Sequence, residues 1–326
     1  MTFDQIPDAS YRPKGEPDRP EVRARYWNTA FGLQAADGLE PSPYARSLAQ
    51  SNINGEVDLT RVGELLQAHY RCIDSQGPQA CDGSSGRTRE ADLVSRRIVE
   101  VLEEGGFVLD PALLSSIHAR LFQDLDPETY RPGHYKTEQL IKPEVVLNGD
   151  SVFYAPPSMY TGMLSALFAR EAAYGYGYEF NAADCSNFST FISRIWQVHP
   201  FVEGNTRTVA VFAELYLAEL GFEVGNGPFE DHAAYFRDAL VRANYRNRAV
   251  GVEFEPSFIE GFFAGLVHGS SSDFDRRELL CRPMFEHPEA LRNAMAADAQ
   301  EVRAYLAQMD RGLWDVSETA SDERSS

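Results

Sequence analysis

The chain has 326 residues, of which 43% are hydrophobic and 24% are charged, values typical of a globular protein rather than a disordered or fibrous one. Its 30 basic and 49 acidic residues give a formal net charge of −19, which argues against a nucleic-acid binder with a basic face. We see no signal-peptide pattern and no apolar run long enough to span a membrane, and the 4 cysteines are scattered. We therefore expect a cytoplasmic protein with no membrane or nucleic-acid partner.

The predicted elements are mainly helical. Residues 1–20 contain four prolines among charged residues, and we expect them to form an extended arm. A polar stretch over 73–86 predicts a loop, a last helix is expected over 288–309, and the polar tail 317–326 is expected to be disordered. Between these segments, apolar residues at helical spacing predict helices over 43–50, 60–72, 89–104, 111–122, 158–171, 181–198, 206–220, 231–245 and 257–268.

Two short β-prone runs flank an Asn-Gly pair in the middle of the chain. The first run is Val145, Val146 and Leu147, and the second ends in Val152, Phe153 and Tyr154. An Asn-Gly pair between such runs is the strongest short-range signal for a hairpin, because both residues adopt positive φ readily. The sequence therefore predicts one β-hairpin over about 144–155, which serves either as structural cover for the helices or in binding.

The most informative stretch runs from His199 to Arg207. The preceding residues carry a buried helical face, and Pro200 disfavours helical backbone at His199, so the helix should end there. After the loop comes a helix that is apolar on most of its faces and should therefore be buried. The free N–H groups and the dipole at the start of this second helix attract anions, phosphate especially.

Three side chains on this loop suggest chemistry. Arg207 could add a bidentate contact to phosphate, Glu203 suits a Mg²⁺ ion that bridges phosphate oxygens, and a neutral His199 could take a proton from a hydroxyl. Each residue alone is more often structural, but their combination between two buried helices favours a Mg²⁺–nucleotide site with a general base. This interpretation requires the imidazole to face a cavity.

The same run resembles the signature of the Fic family. The matching residues are His199, Pro200, Phe201, Glu203, Gly204, Asn205 and Arg207, with supporting features between about residues 45 and 266. The resemblance implies a mostly α fold: a Fic-type helical domain over 21–270, with a hairpin flap near the active-site loop 199–207. A C-terminal helical extension over 271–316 would follow.

The resemblance also implies a role for each matching residue. His199 would be the base that deprotonates a Ser, Thr or Tyr hydroxyl, and Glu203 would be the Mg²⁺ ligand. Gly204, Asn205 and Arg207 would form the phosphate cradle, and Phe201 would wedge the loop into the core. Thr206 departs from the Gly or Lys usual at its position, but Thr is acceptable in a first helical turn, so we expect its backbone to stay part of the nucleotide-binding cradle. The flap, with Val145, Val146, Leu147, Val152, Phe153 and Tyr154, would hold the backbone of a protein target as an added strand.

Two departures from the family pattern concern regulation. Ala210 stands where the family often has a second Arg, which pairs with an inhibitory Glu. The run Ser51 to Glu56 resembles the inhibitory motif but has Asn54 at the position of that Glu; the alternatives are a plain surface turn, or Glu56 as a substitute. Because a buried Glu without its Arg is costly, the two losses fit together, and we expect no Glu-mediated self-inhibition.

The leading hypothesis is a protein adenylyltransferase that uses Mg²⁺ and ATP and acts on a protein target with an acceptor hydroxyl. One alternative is a Fic-type transferase of another phosphate-linked group, such as UMP, phosphocholine or phosphate. Another is a nucleotide-binding interaction module without catalysis, although such a module has no need of the His199 base. A homodimer stays open at this stage.

Overall fold

The structure, a computed structural model, describes residues 19–75, 84–222, 224, 227–269 and 274–290. These residues form twelve α-helices joined by loops and short 3₁₀ turns. The helices are α1 (Pro20–Ala35), α2 (Pro43–Ile53), α3 (Leu59–Ser75), α4 (Ser84–Glu104), α5 (Pro111–Phe122), α6 (Pro127–Tyr130), α7 (Tyr160–Ala172), α8 (Ala182–Val198), α9 (Asn205–Glu219), α10 (Gly227–Asn244), α11 (Ser257–His268) and α12 (Arg282–Glu286). The prediction of a mostly helical fold is confirmed.

Local sequence signals explain where several helices begin. The Asp110 side chain accepts a hydrogen bond from the Ala112 amide, with Pro111 in the first helical position of α5. Asn181 caps α8 by accepting from the amides of Ala183 and Asp184. None of the described helices is long and apolar enough to cross a bilayer. Most of the predicted arm, most of the polar loop, the last helix beyond residue 290 and the tail lie outside the described residues.

The predicted β-hairpin is wrong, since the described residues contain no strand in this region. Residues 145–147 form a 3₁₀ turn, and Asn148 and Gly149 take φ values of 55° and 89°, as an Asn-Gly turn requires. The Glu144 amide donates to the Asp150 carbonyl across the turn, but no ladder continues from this bond. The Cys281 amide donates to the Val146 carbonyl instead, and the Ala155 amide donates to the Gln197 carbonyl. The segment is therefore an irregular strap, and it offers no strand that a target could extend.

Helix α9 is the centre of the core. All its residues from Asn205 to Leu217 are buried, and it packs against α1, α4, α5 and α8. Helix α1 in turn packs along α4 and α10, and its Gly32 lies so close to α10 that a Cβ there would be 2.1 Å from the Phe229 carbonyl oxygen. This packing places the end of α1 beside the start of α9, where the His199–Arg207 loop lies.

Candidate active site

The loop between α8 and α9 depends on two residues in left-handed backbone conformation. Helix α8 ends at Val198 as predicted, and His199 follows with φ 50°. Gly204 has φ 74°, and a Cβ at this position would lie 2.1 Å from the Phe122 ring. Only glycine therefore fits at Gly204, on both steric and conformational grounds.

Two polar side chains fold the loop back on itself. The Asn205 amide group accepts from the Phe201 backbone N–H at 3.0 Å and donates to the Phe201 carbonyl at 2.8 Å. Thr206 Oγ1 accepts from the Trp196 indole N–H at 3.1 Å. Both side chains are buried, so a phosphate group could use only the backbone N–H groups here, and not these side chains.

His118 of α5 holds the loop from below. The Gly133 amide donates to its Nδ1 at 2.9 Å, so Nε2 carries the proton and donates to the Glu203 carbonyl at 3.0 Å. The ring stacks on Phe201 with centroids 3.9 Å apart. Burial lowers the pKa of His118 to about 4, so this imidazole is neutral near pH 7. Its positioning role was not visible in the sequence, because a lone histidine in a helix has no distinguishing spacing.

His199 is buried at 3% exposure, and neither of its ring nitrogens has a hydrogen-bond partner among the described residues. The ring of Tyr154 stacks on it with centroids 3.9 Å apart. Burial, and then the nearby Lys142 and Lys136, hold the pKa of His199 well below its usual range, so the ring is neutral. The expectation that this imidazole faces an open cavity is wrong for the conformation described here, since Tyr154 covers it.

Tyr154 belongs to the strap over residues 142–154, which we call the cover segment. The Tyr154 hydroxyl donates to Glu144 at 3.2 Å, and Arg237 of α10 forms an ion pair with the same carboxylate at 2.7 Å. Burial raises the pKa of Glu144 to about 7 although Arg237 opposes the shift. The aromatic ring over His199 is thus tied to α10 through one buried carboxylate.

The cover segment also reaches the predicted metal ligand. Lys142 contacts the Glu203 carboxylate at 3.0 Å, and Glu203 is about half exposed at the rim of a pocket. Within the described residues no cluster of three or more His, Cys, Asp or Glu is arranged to hold a metal. A single carboxylate nevertheless fits Mg²⁺, because this ion usually binds one or two carboxylates together with substrate phosphates and water.

Arg207 is fully buried among residues that sequence reasoning missed. Its Nε lies 2.8 Å from the Asp37 carboxylate, its Nη2 lies 2.6 Å from Glu90, and its Nη1 donates to Gln34 at 3.1 Å. These partners come from the region of α1 and from α4, far away in the sequence. The guanidinium predicted to cradle phosphate is therefore held by two carboxylates in this conformation.

The structure does not bring the expected inhibitory-motif residues to the loop. Ser51 and Asn54 lie at the end of α2, where Arg23 of α1 donates to the Ile53 carbonyl. Arg23 lies near the start of α1. The last residue of this helix is about 18 Å farther along the helix axis, and it is this far end that leads to Asp37, the partner of Arg207. Asn54 is exposed and bonds to Gln50 and Glu56. Ala210 is fully buried in the core.

A pocket of about 510 Å³ opens beside Glu203 and Arg207, and His199 is not among the residues that line it. Its wall combines the backbone that follows α1 with charged side chains from several helices. The cations are Arg87, Lys142, Arg207, Arg237 and Arg276, and the carboxylates are Asp37, Glu90 and Glu203. The volume lies in the range of small-molecule sites.

Residues 108–217 match the model of the Fic/DOC family. No curated protein matches the chain. Among solved structures, the chain is similar to the crystal structure of a Fic family protein from Desulfovibrio desulfuricans G20, with 13% sequence identity and a TM-score of 0.45. That similarity covers 88% of this chain and 76% of the other. The family match over residues 108–217 confirms the resemblance seen in the sequence.

Proposed function

We propose, from the match of residues 108–217 to the Fic/DOC family, that the protein is a Fic-type transferase that moves AMP from Mg²⁺–ATP to a Ser, Thr or Tyr hydroxyl of a protein. His199 takes the proton of the attacking hydroxyl, and Glu203 holds the metal. The start of α9 offers its N–H groups to the phosphates, since Gly204 makes no side-chain cap there. Mg²⁺, when bound, neutralises charge on the phosphate oxygens.

The observation that carries this proposal is the contrast between the two buried histidines. His118 uses both ring nitrogens in hydrogen bonds, as buried polar groups usually do. His199 uses neither within the described residues and also holds a left-handed φ of 50°. An unsatisfied buried polar group costs about 1–3 kcal/mol, and strained backbone is concentrated at functional sites. The left-handed φ is a common way to end a helix, but a purely structural role gives no reason for two unpartnered ring nitrogens at His199.

Transfer requires two contacts of the cover segment to break. Tyr154 must leave the His199 ring before a hydroxyl can approach the imidazole, and Lys142 must release Glu203 before that carboxylate binds a metal. The described conformation is therefore a closed one. The predicted strand-addition mode for the target is withdrawn with the hairpin, while the protein target itself, the homodimer and the cytoplasmic location stay predictions.

The test is intact-protein and peptide mass spectrometry after incubation with Mg²⁺, a cell lysate and one donor at a time: ATP, UTP or CDP-choline. We expect the mass of one AMP on a Ser, Thr or Tyr with ATP, and its loss in His199→Ala and in Glu203→Gln. His134→Ala is the matched control, because His134 is exposed and should leave transfer unchanged.

Three outcomes would redirect the proposal. A UMP or phosphocholine adduct in place of AMP would keep the transferase and change its donor. Nucleotide binding without any adduct would favour an interaction module. An adduct that persists at the parent level in His199→Ala would remove the imidazole from the mechanism.

A further inference from the structure

The pocket wall has a charge balance opposite to that of the whole chain. It presents five cationic side chains and three carboxylates, whereas the chain has 30 basic and 49 acidic residues. Three of the cations, Arg87, Arg237 and Arg276, lie outside the family-matched residues 108–217. A local excess of arginine in an acidic protein indicates a site for an anion.

Arg276 is held in place for such a role. Its Nε and Nη2 lie 2.8 Å and 2.6 Å from the Asp238 carboxylate, which is buried in α10. This contact fixes the plane of a guanidinium that is itself about half exposed and lines the pocket. A guanidinium carries five N–H donors, so donors remain for a second anion on the pocket side.

Arg237 and Arg207 each make one close ion pair that is poorly aligned. Arg237 lies 2.7 Å from Glu144 Oε2, yet this buried oxygen has no hydrogen bond among the described residues. The buried Nε of Arg207 likewise has none, although Asp37 lies at 2.8 Å. Arg207 keeps well-directed hydrogen bonds to Glu90 and Gln34. Arg237 is positioned at the wall with a close but poorly directed contact to Glu144, and phosphate oxygens would supply better hydrogen-bond geometry.

We propose that Arg237 and Arg276 bind the terminal phosphates of the donor, which makes the donor a nucleoside triphosphate. This inference rests on the proposed function and specifies its donor. Ala210 offers no cation from α9, so the negative charge of a triphosphate tail has to be met from another part of the wall. The two arginines lie on α10 and on the 3₁₀ turn Arg276–Leu279, and they line the same pocket as Glu203 and Arg207.

The arrangement also links donor binding to the cover segment. Arg237 holds Glu144, which in turn accepts from the Tyr154 hydroxyl over His199. When Arg237 turns to phosphate oxygens, Glu144 loses its only cationic contact in the described structure at less than 4 Å. The tie between Tyr154 and α10 is thereby weakened when the triphosphate arrives.

The test measures dissociation constants of the full chain for ATP, ADP, AMP and inorganic tripolyphosphate by calorimetry, with Mg²⁺ present. We expect Arg276→Gln to weaken the binding of ATP and tripolyphosphate about 10- to 100-fold, while the affinity for AMP changes less than about twofold. The double variant Glu144→Gln with Arg237→Gln should weaken the binding of the same two ligands, and it leaves no buried charge without its partner. Arg277→Gln is the matched control, since this neighbour is exposed and does not line the pocket. Arg276→Lys should fall between parent and Arg276→Gln.

The outcomes separate this inference from the proposed function. Equal weakening of ATP and AMP in Arg276→Gln, no change in either, or no measurable ATP binding by the parent would overturn the inference. A selective loss of ATP affinity in a protein that forms no adduct with any donor would support the inference and reject the transferase. Thermal unfolding of each variant checks that the fold is retained.

Discussion

At the scale of single residues, Gly204 shows how narrowly the loop geometry is determined. Its φ of 74° is left-handed, and the Phe122 ring fills the space where a Cβ would stand, at 2.1 Å. Phe122 also lies beneath the Arg207 guanidinium, 5.0 Å from ring centroid to Cζ, so it has little freedom to move away. The position therefore couples the loop to the packing beneath Arg207.

We predict that Gly204→Ala destabilises the protein by about 2–5 kcal/mol, because a left-handed residue with a Cβ costs about 1–2 kcal/mol and overpacking adds about 1–3 kcal/mol. Urea unfolding measures the change. Gly251→Ala is the matched control: its φ is 69°, but no atom lies within 4 Å of the added Cβ. That variant should show the backbone cost alone, and equal losses in both variants would contradict the role given to Phe122.

Residue-level sequence reasoning succeeded where the cause is local. The predicted helix over 111–122 and the helix end before His199 follow from neighbours within a few positions, namely Asp110 with Pro111 and the proline after His199. The partners of Arg207 could not be found in this way, because Asp37 and Glu90 come from 170 and 117 positions away. No spacing rule in a single sequence connects positions so far apart. Arg207 and its two carboxylate partners are brought together by the packing of α1 and α4 on α9.

At the scale of elements, the cover segment shows why a correct turn does not guarantee a hairpin. Asn148 and Gly149 adopt the positive φ values that the sequence predicts. Val145 is exposed, but Val146, Leu147 and Val152 are buried, so most of the apolar side chains here pack as core and not as an edge ribbon. Their backbone groups pair with α8 and with the start of α12. Tertiary packing therefore overrides the local β propensity.

We predict that Tyr154 controls access to His199. Diethyl pyrocarbonate acylates accessible neutral imidazole, and peptide mass spectrometry locates the product. In the parent, His199 should react far more slowly than exposed His134, and Tyr154→Ala should raise its rate at least about tenfold, because nothing else in the described structure stacks face-on against the ring.

Two comparisons distinguish faster acylation of His199 from a general loss of structure. Tyr154→Phe keeps the stacked ring and loses only the hydroxyl contact with Glu144, so His199 should stay protected or become slightly faster. His118, bonded at both nitrogens, should stay slow in every variant. Fast acylation of His199 in the parent would show that Tyr154 does not cover it, and fast acylation of His118 would indicate unfolding.

At the scale of the whole molecule, the family-matched residues do not make the site alone. They supply His199, Glu203 and Arg207, but Asp37, Arg87, Arg237 and Arg276 come from before and after them. The buried Arg207 would be left without its carboxylates if α1 and α4 were separate from the rest, and an uncompensated buried charge costs several kcal/mol. This dependence supports the predicted single domain over 21–270, which stays a prediction.

Two buried tryptophans can report whether residues 21–270 unfold as a single domain. Trp27 lies in α1 and donates to Asn52, while Trp196 lies in α8 and donates to Thr206 of the motif; both are buried. If α1–α4 and the motif helices share one core, they unfold in one cooperative step, and both indoles report the same transition. With Trp314→Phe as background, Trp27→Phe leaves Trp196 as the fluorescent probe, and Trp196→Phe leaves Trp27.

We expect each single-tryptophan protein to give coincident urea midpoints by fluorescence and by far-ultraviolet circular dichroism, because Arg207 ties α1 and α4 to α9 through Asp37 and Glu90. Comparing two probes within the same variant removes the stability cost of the substitution itself. A Trp27 signal that is lost at lower urea than the helical signal would show that α1 unfolds as a separate unit. In that case the pocket wall beside Arg207 would be assembled by domain docking and not by the folding of a shared core.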